Sequence, residues 1–527
     1  MDSLLRCSGL MIPHPILPGT SIDLLSAQVV TSASAYIPES VYTNHGPVNA
    51  SGVSFCAVSV AYTHIHHSDP VNTQVWLPLD DEWNGRMMGV GGGGFYCGLY
   101  GANMMAMLAA VSEGYAAVST DCGHTILQTT EDWLLDSPGQ VNYHLLENFA
   151  STALNDAAII GKSVTGSFYG SRPQHSYFSG CSQGGRQGMM LAQKYPNAYD
   201  GIAAASPALN WAKILVAGFF TQLVMNQLDS YPRWCELDYL TNTAVSQCDG
   251  LDGVHDGIVS DIDNCRINAS DLVGTDVPCG EETVPLSESA AIVASAAWQG
   301  PSTPDGASLW AGVDFGANLT DGASSQCSPN GRCTGLPVLY SSDWIRLAVE
   351  KDPDFDTDSI TKVDYAQIFW ESVKEYDSII GTYNPDLSEF RRRGGKILTF
   401  HGLADQMVPS KGTRRYYEEV AKRDPFVRKY YRLFEAPGLG HCWSPGGLYP
   451  STIFDDLVAW VEEGRTPETL PVTFTDDNDV RNDRILCPYP EKAVYDGRGD
   501  PTARSSYHCS AKGINFRSNV NVDSTEA

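Results

Sequence analysis

Three residues far apart in the chain have the side chains needed for nucleophilic acyl transfer: Ser182, Asp405 and His441. Ser182 lies in Ser179-Gly180-Cys181-Ser182-Gln183-Gly184-Gly185, a Gly-x-Ser-x-Gly pattern set where a short apolar run must turn into a helix. Glycines flanking the serine permit a strained strand-to-helix turn that lifts the hydroxyl above a sheet and aims a helix N-terminus at it. Such a hydroxyl attacks poorly unless a base takes its proton and a third group orients that base. His441, in the glycine-lined turn Pro437-Gly-Leu-Gly-His441, is the expected base, and Asp405, in His401-Gly-Leu-Ala-Asp405, the expected orienting acid. Read blandly, these are a loop histidine and a turn-stabilising aspartate. Their order along the chain, serine then acid then histidine, favours the triad. His401 is the rival base, but it precedes the acid and would invert that order.

Gly91-Gly92-Gly93-Gly94-Phe95 follows a second apolar run. A loop without side chains can bring an N–H against the oxyanion of a tetrahedral intermediate, paired with the N–H of Gln183; Gly93 or Gly94 is the expected donor. A phosphate loop would need Lys-Ser/Thr after the glycines, and none follows; Gly161-Lys162-Ser163 lacks the upstream glycine, because position 156 is Asp. Cys181 directly precedes the serine and Cys442 directly follows the histidine. A bond between them would tether elbow to base, and closing so long a loop contributes about 5 kcal/mol in the chain-entropy model.

These residues need a scaffold that carries them to one edge. Runs at 73–78, 87–90, 116–120, 176–179 and 201–205 read as strands, and 102–113, 143–168 and 184–194 as helices. Strands alternating with helices predict a parallel sheet covered on both faces. The rhythm breaks near Pro207, where Asp, Ser, Gly and Cys dominate and only patches such as 213–228 and 360–376 look helical. It resumes with strands at 396–400 and 429–435 and a closing amphipathic helix at 451–464. The expected organisation is an α/β-hydrolase core formed by 1–206 and 391–527, with a lid domain inserted at 207–390.

Composition narrows the partners. A net charge of −28 repels phosphate backbones and anionic headgroups, so nucleic acid is not an expected partner. No run approaches ~18 uninterrupted apolar residues, so no membrane span is expected. Fourteen cysteines without zinc-finger spacing suggest disulfides and an oxidising compartment. N-glycosylation sequons at Asn49, Asn268 and Asn318 agree with a secreted protein, although the first seventeen residues show no basic segment followed by a continuous apolar one.

Asp249, Asp252 and Asp256 place three carboxylates within eight residues, separated by glycines, as an oxygen-seeking cation such as Ca²⁺ requires. The spacing is not that of an EF-hand, and solvated turns with Asx caps explain the loop equally well. At this point the chain resembles the tannase and feruloyl esterase family, through Cys181-Ser182, Asp405, His441-Cys442 and a pattern running from about Cys7 to Cys509. Tyr231-Pro-x-x-Cys235-Glu-Leu237 and the 91–95 loop are tannase-like; Arg391-Arg392-Arg393-Gly-Gly-Lys396 and the turn before Cys442 are equally like feruloyl esterases. The chain departs from fungal tannases in lacking a long processed insert in the lid.

The resemblance implies a Cys181–Cys442 disulfide and a structural Ca²⁺ on Asp249, Asp252, Asp256 and the carbonyls of Val254 and Ile258. It also implies the bonds Cys248–Cys265, Cys487–Cys509, Cys327–Cys333, Cys7–Cys56 and Cys235–Cys279, leaving Cys97 and Cys122 to each other. The expected activity is hydrolysis of esters of aromatic, phenolic acids by a Ser–His–Asp triad through an acyl-enzyme, on a small-molecule, plant cell-wall or polyphenol ester. An esterase or acyltransferase of a biosynthetic pathway is the alternative, and a non-catalytic binding protein the reading that an intact triad argues against.

Overall fold

The computed structural model describes residues 3–79, 82–328, 332–476 and 479–511. The main sheet contains nine strands: β1 (Thr20–Ile37), β2 (Val48–His64), β3 (Val71–Pro78), β4 (Arg86–Val90), β5 (Ala116–Thr120), β6 (His175–Cys181), β7 (Gly201–Ala205), β8 (Lys396–Gly402) and β9 (Tyr431–Ala436). Their spatial order is β1-β2-β3-β5-β4-β6-β7-β8-β9. The run from β5 to β9 is parallel throughout, while β1, β2 and β3 add an antiparallel edge. Every residue of β5 and β7 is buried, as expected of parallel strands with both faces covered.

Helices cover the two faces. The first is α1 (Gly101–Ser112), followed by α2 (Tyr143–Ala150) and α3 (Thr152–Tyr169), then α4 (Gln183–Lys194), which follows β6. Met87, Val118, Phe178 and Ile202 belong to one apolar cluster; Met88, Ala117, Tyr177 and Ala203, their neighbours along the same strands, belong to the cluster on the opposite face. That alternation is the two-residue period of a strand.

The described residues between β7 and β8 lie outside this sheet. The segment contains α5 (Trp211–Ala217), α6 (Phe220–Leu228), α7 (Trp234–Cys248), α8 (Lys362–Ile380) and two short antiparallel ribbons. Part of it has its own apolar centre, with Leu237, Leu240, Val293 and Trp298, whereas Trp211, Trp344 and Tyr365 join the core of the main sheet. After β9, α9 (Ile453–Glu463) packs against β7 and β8.

Three local readings of the sequence change. The strand rhythm begins at Thr20 rather than near residue 70; β1 and β2 are long and half exposed, so their apolar signal is diluted. The single helix expected at 143–168 is two, broken at Ser151 with φ −162° and ψ −40°. The 213–228 patch is likewise two helices, separated at Gly218 and Phe219. All fourteen cysteines are bonded, as Cys7–Cys56, Cys97–Cys122, Cys181–Cys442, Cys235–Cys279, Cys248–Cys265, Cys327–Cys333 and Cys487–Cys509.

Candidate active site

Between the last residue of β6 and the first of α4, Ser182 adopts φ 61° and ψ −121°, a conformation costly for any residue with a Cβ. The glycines around it are needed for close approach. A Cβ on Gly180 would lie 2.7 Å from the Gly184 carbonyl carbon, and one on Gly184 would lie 2.7 Å from Gly92 O. Strand, helix and glycine loop therefore touch backbone to backbone at the serine. Its amide donates to Ala205 O at 3.1 Å, and its carbonyl accepts from Arg186 N at 2.9 Å and Ala208 N at 3.1 Å. These bonds hold the strained turn.

Asp405 stands just beyond β8, with its carboxylate fully buried and satisfied on both oxygens. Oδ1 accepts the N–H groups of Met407 at 2.9 Å and Val408 at 2.8 Å. Oδ2 lies 2.8 Å from His441 Nδ1 and 3.2 Å from His401 Nε2. Burial alone would raise this carboxyl; the neighbouring His441 and the hydrogen bonds from both histidines override it and hold it well below the usual range. His401 Nε2 is also 2.8 Å from Val408 O and its Nδ1 2.9 Å from Thr413 Oγ1. Both ring nitrogens of the rival base are thus engaged in the interior, and its place is behind the acid.

The His441 turn is fixed from three sides. Gly440 N donates to Ser444 Oγ at 2.9 Å, His441 N donates to Gln406 Oε1 at 3.1 Å, and the next residue is bonded to Cys181 with 5.9 Å between Cα atoms. Ser182 and His441 line one cavity of about 770 Å³. Among the described residues, no hydrogen bond joins Ser182 Oγ to the imidazole.

The glycine loop separates the two donor candidates. Gly91 N donates to Ser179 O at 2.9 Å, Gly92 N to Gln187 Oε1 at 2.9 Å and Gly93 N to Tyr96 O at 3.0 Å. Gly93 is therefore a correction: its N–H is occupied. The N–H groups of Gly94 and Gln183 find no acceptor among the described residues, and Gly94, at φ 57°, also needs its missing Cβ, which would lie 2.6 Å from Tyr340 Oη. Val41, Tyr42, Val90 and Tyr100 of the core line the cavity's apolar wall together with four residues of the inserted segment, Trp211, Ile214, Leu215 and Tyr340. No sequence signal singles these four out, because their helices carry ordinary apolar faces.

The acidic loop lies outside this cavity, closed by Cys248–Cys265. Asp249 Oδ1 accepts from Asp256 N at 3.0 Å and Gly257 N at 3.1 Å; Asp252 Oδ1 accepts from Val254 N at 3.0 Å; Asp256 Oδ1 accepts from Ile258 N at 3.2 Å. Arg484 Nη2 donates to Asp256 Oδ2 at 3.1 Å. Burial, reinforced by the charges of Asp256 and Asp249, pushes Asp252 up to about 6. Among the described residues, no group of three or more His, Cys, Asp or Glu side chains converges in the manner of a metal cluster. The donor chemistry nonetheless fits a hard cation: all oxygen, crowded with like charge, and including the carbonyls of Val254 and Ile258, which accept no hydrogen bond among the described residues.

A parallel sheet flanked by helices, a serine elbow after a central strand, and an Asp–His pair on the loops that follow the next strands define an α/β-hydrolase. The chain belongs to the tannase and feruloyl esterase family, whose model matches residues 56–510, and is a carboxylic ester hydrolase of that type. It is similar to a probable feruloyl esterase of Arthroderma benhamiae, 39% identical over 94% of this chain and 92% of the relative. Tannin acyl hydrolase from Aspergillus niger superimposes with a TM-score of 0.86 at 26% identity, covering 97% of this chain and 94% of that one. Feruloyl esterase B from Aspergillus oryzae shares the fold with a TM-score of 0.79 at 24% identity, over 97% and 100% of the two chains. Among the described residues, no helix is long and apolar enough to cross a membrane.

Proposed function

We propose that the chain hydrolyses esters of phenolic carboxylic acids, with Ser182 as nucleophile, His441 as general base and Asp405 as the group that orients the imidazole. One observation carries this reading: the 2.8 Å contact of His441 Nδ1 with Asp405 stands beside a disulfide that ties the base's loop to the elbow. With Nδ1 held by the carboxylate, Nε2 is the nitrogen left to take the serine proton. The missing serine–imidazole hydrogen bond is compatible with this role, since such contacts are often loose before substrate arrives.

In the first half-reaction Ser182 Oγ adds to the ester carbonyl while His441 accepts its proton. The tetrahedral oxyanion takes hydrogen bonds from the N–H groups of Gly94 and Gln183. Imidazolium then gives its proton to the alcohol oxygen, the C–O bond breaks, and the acyl group stays on Ser182. Water, deprotonated by His441, adds to the acyl-enzyme, and collapse of the second tetrahedral anion returns the serine and releases the acid. The names of the relatives, feruloyl esterase and tannin acyl hydrolase, support an aromatic acyl group. The segment 207–390 serves as the lid, and Trp211, Leu215 and Tyr340 supply aromatic and apolar walls for a ring.

Asp249, Asp252, Asp256 and the carbonyls of Val254 and Ile258 would hold a structural Ca²⁺. The ion would neutralise three crowded carboxylates and stiffen the loop, without a part in the reaction. Exposed Asn49, Asn268 and Asn318 suit glycosylation in a secreted enzyme.

A fluorophosphonate probe tests the nucleophile, with labelling of the wild type and none of Ser182→Ala expected. Methyl ferulate, methyl caffeate and methyl gallate compared with short aliphatic p-nitrophenyl esters test the acyl group. Preference for the aliphatic esters would refute the phenolic assignment.

A further inference from the structure

Arg186 sits one helical turn behind Ser182 on α4, fully buried, and no carboxylate bonds to it among the described residues. Nε donates to Gln183 Oε1 at 2.6 Å, Nη1 to Ala150 O at 2.9 Å and Thr382 Oγ1 at 3.2 Å, and Nη2 to Phe149 O at 3.1 Å. The rings of Phe149 and Trp211 cover it, each centroid 5.7 Å away. Every partner is neutral. Burying a cation without a counter-charge is among the least favourable arrangements a fold can contain. Burial draws the guanidinium down to about 9, which leaves it charged at neutral pH.

Part of the compensation is visible. Phe149 and Ala150 are the last residues of α2, where the Ser151 break exposes carbonyls at the negative end of the helix. Arg186 takes both. Capping a helix end does not by itself call for a full charge beside the elbow. Arg186 instead joins three parts that meet at the serine: α2 of the core, Thr382 and Trp211 of the inserted segment, and Gln183, whose N–H is the first orphan donor of α4. Its backbone stands about 6 Å along the helix from that of Ser182, by the rise of an α-helix, and its guanidinium, held on the Gln183 side chain next to Ser182, lies in an interior where charge is poorly screened.

We infer that Arg186 is a positioning residue for the tetrahedral anion, its unpaired charge favouring the oxyanion over the neutral ester. The inference rests on the elbow chemistry proposed above. In the resting chain the cation has only dipoles for company; a full negative charge develops beside the same end of α4 only while Ser182 is bonded to a tetrahedral carbon.

The test compares wild type, Arg186→Met and Arg186→Lys, using kcat and KM for methyl ferulate and the inhibition constant of phenylboronic acid. Boronate forms an anionic tetrahedral adduct on a reactive serine and so reports the charge directly. For Arg186→Met, kcat and boronate affinity should each fall about tenfold while KM stays within about twofold. Arg186→Lys keeps the charge and loses the fork, so boronate affinity should stay within about threefold even as the melting temperature drops. A folded Arg186→Met with unchanged kcat and boronate affinity would leave Arg186 a helix cap and overturn the inference. If Arg186→Met does not fold, Arg186→Lys decides alone: retained boronate affinity supports the charge, and a tenfold loss overturns it. A wild type that binds neither boronate nor fluorophosphonate would refute the serine mechanism itself, a different failure.

Discussion

Asp405 and Asp252 are both carboxylates in turns, and their surroundings push them in opposite directions. Asp405 has two backbone N–H groups on one oxygen and two histidines on the other, and is held well below the ordinary range. Asp252 is pushed up to about 6 by burial and by the charges of Asp256 and Asp249, against the hydrogen bonds from Val254 N–H and Ser260. The first loop is complete in itself: every acceptor is filled, and the charge is stabilised before any ligand arrives. The second has fewer cationic neighbours: Arg484 reaches Asp256, and the exposed His255 ring stands 3.6 Å from Asp249. On the proposed roles, the reacting site is preorganised by the protein's own groups, whereas the acidic loop would leave a deficit for an ion to fill.

The largest effects should fall on the complete site. Ser182→Ala and Asp405→Asn should each lower kcat for methyl ferulate by about ten-thousand-fold, the first by removing the nucleophile with little change in melting temperature, the second by releasing the imidazole's orientation and with a lower melting temperature, since a buried, fully satisfied carboxylate is lost. A residual rate near wild type in either would break the contrast at its stronger end. Next comes the tether. Replacing Cys181 and Cys442 together by serine should cost about 2–5 kcal/mol of stability and lower kcat about 10- to 100-fold, because the base's loop is then free to drift from the elbow. Unchanged kcat in that variant would mean that the Gln406 and Ser444 contacts of the His441 turn suffice.

The incomplete site should answer to ions. EDTA should lower the melting temperature by about 5 °C, with initial rates at 25 °C nearly unchanged, and Ca²⁺ should restore it. Asp252→Asn should shrink that EDTA response. A wild type indifferent to both EDTA and Ca²⁺ would make the loop a set of capped turns, and its crowded carboxylates an unrelieved cost.

The same contrast governs what could be read from the sequence. The elbow was legible because only glycine tolerates the contacts at positions 180 and 184, so its geometry is written in residue types. The parallel strands were legible because burial on both faces makes them continuously apolar. Strands β1 and β2 were not, because long strands with partly exposed residues carry alternating polarity that resembles loop composition. The break at Ser151 was hidden for another reason. It is stabilised by Arg186, more than thirty residues on, and no local window contains both partners. Choosing between Gly93 and Gly94 likewise needed Tyr96 O, a backbone group whose placement no side-chain pattern records.

The smallest expected effect concerns a third arrangement of carboxylates, in which a histidine lies between two of them. His64, the last residue of β2, has Nδ1 2.6 Å from Asp69 Oδ2 and Nε2 3.1 Å from Asp156 Oδ2. Its hydrogen bonds to Asp156 and Asp69 raise it above the ordinary 6.5, against the opposing effect of burial. A histidine with a raised folded pKa stabilises the fold fully below about 6.5, and that contribution disappears as pH rises through the folded value. His64→Gln should therefore melt lower than wild type at about pH 5.5, and the gap should narrow by about pH 8.5. Melting curves of the two proteins across that window check it. A gap that stays constant with pH would mean that His64 contributes packing and neutral hydrogen bonds alone, and that the two carboxylates are held without help from its charge.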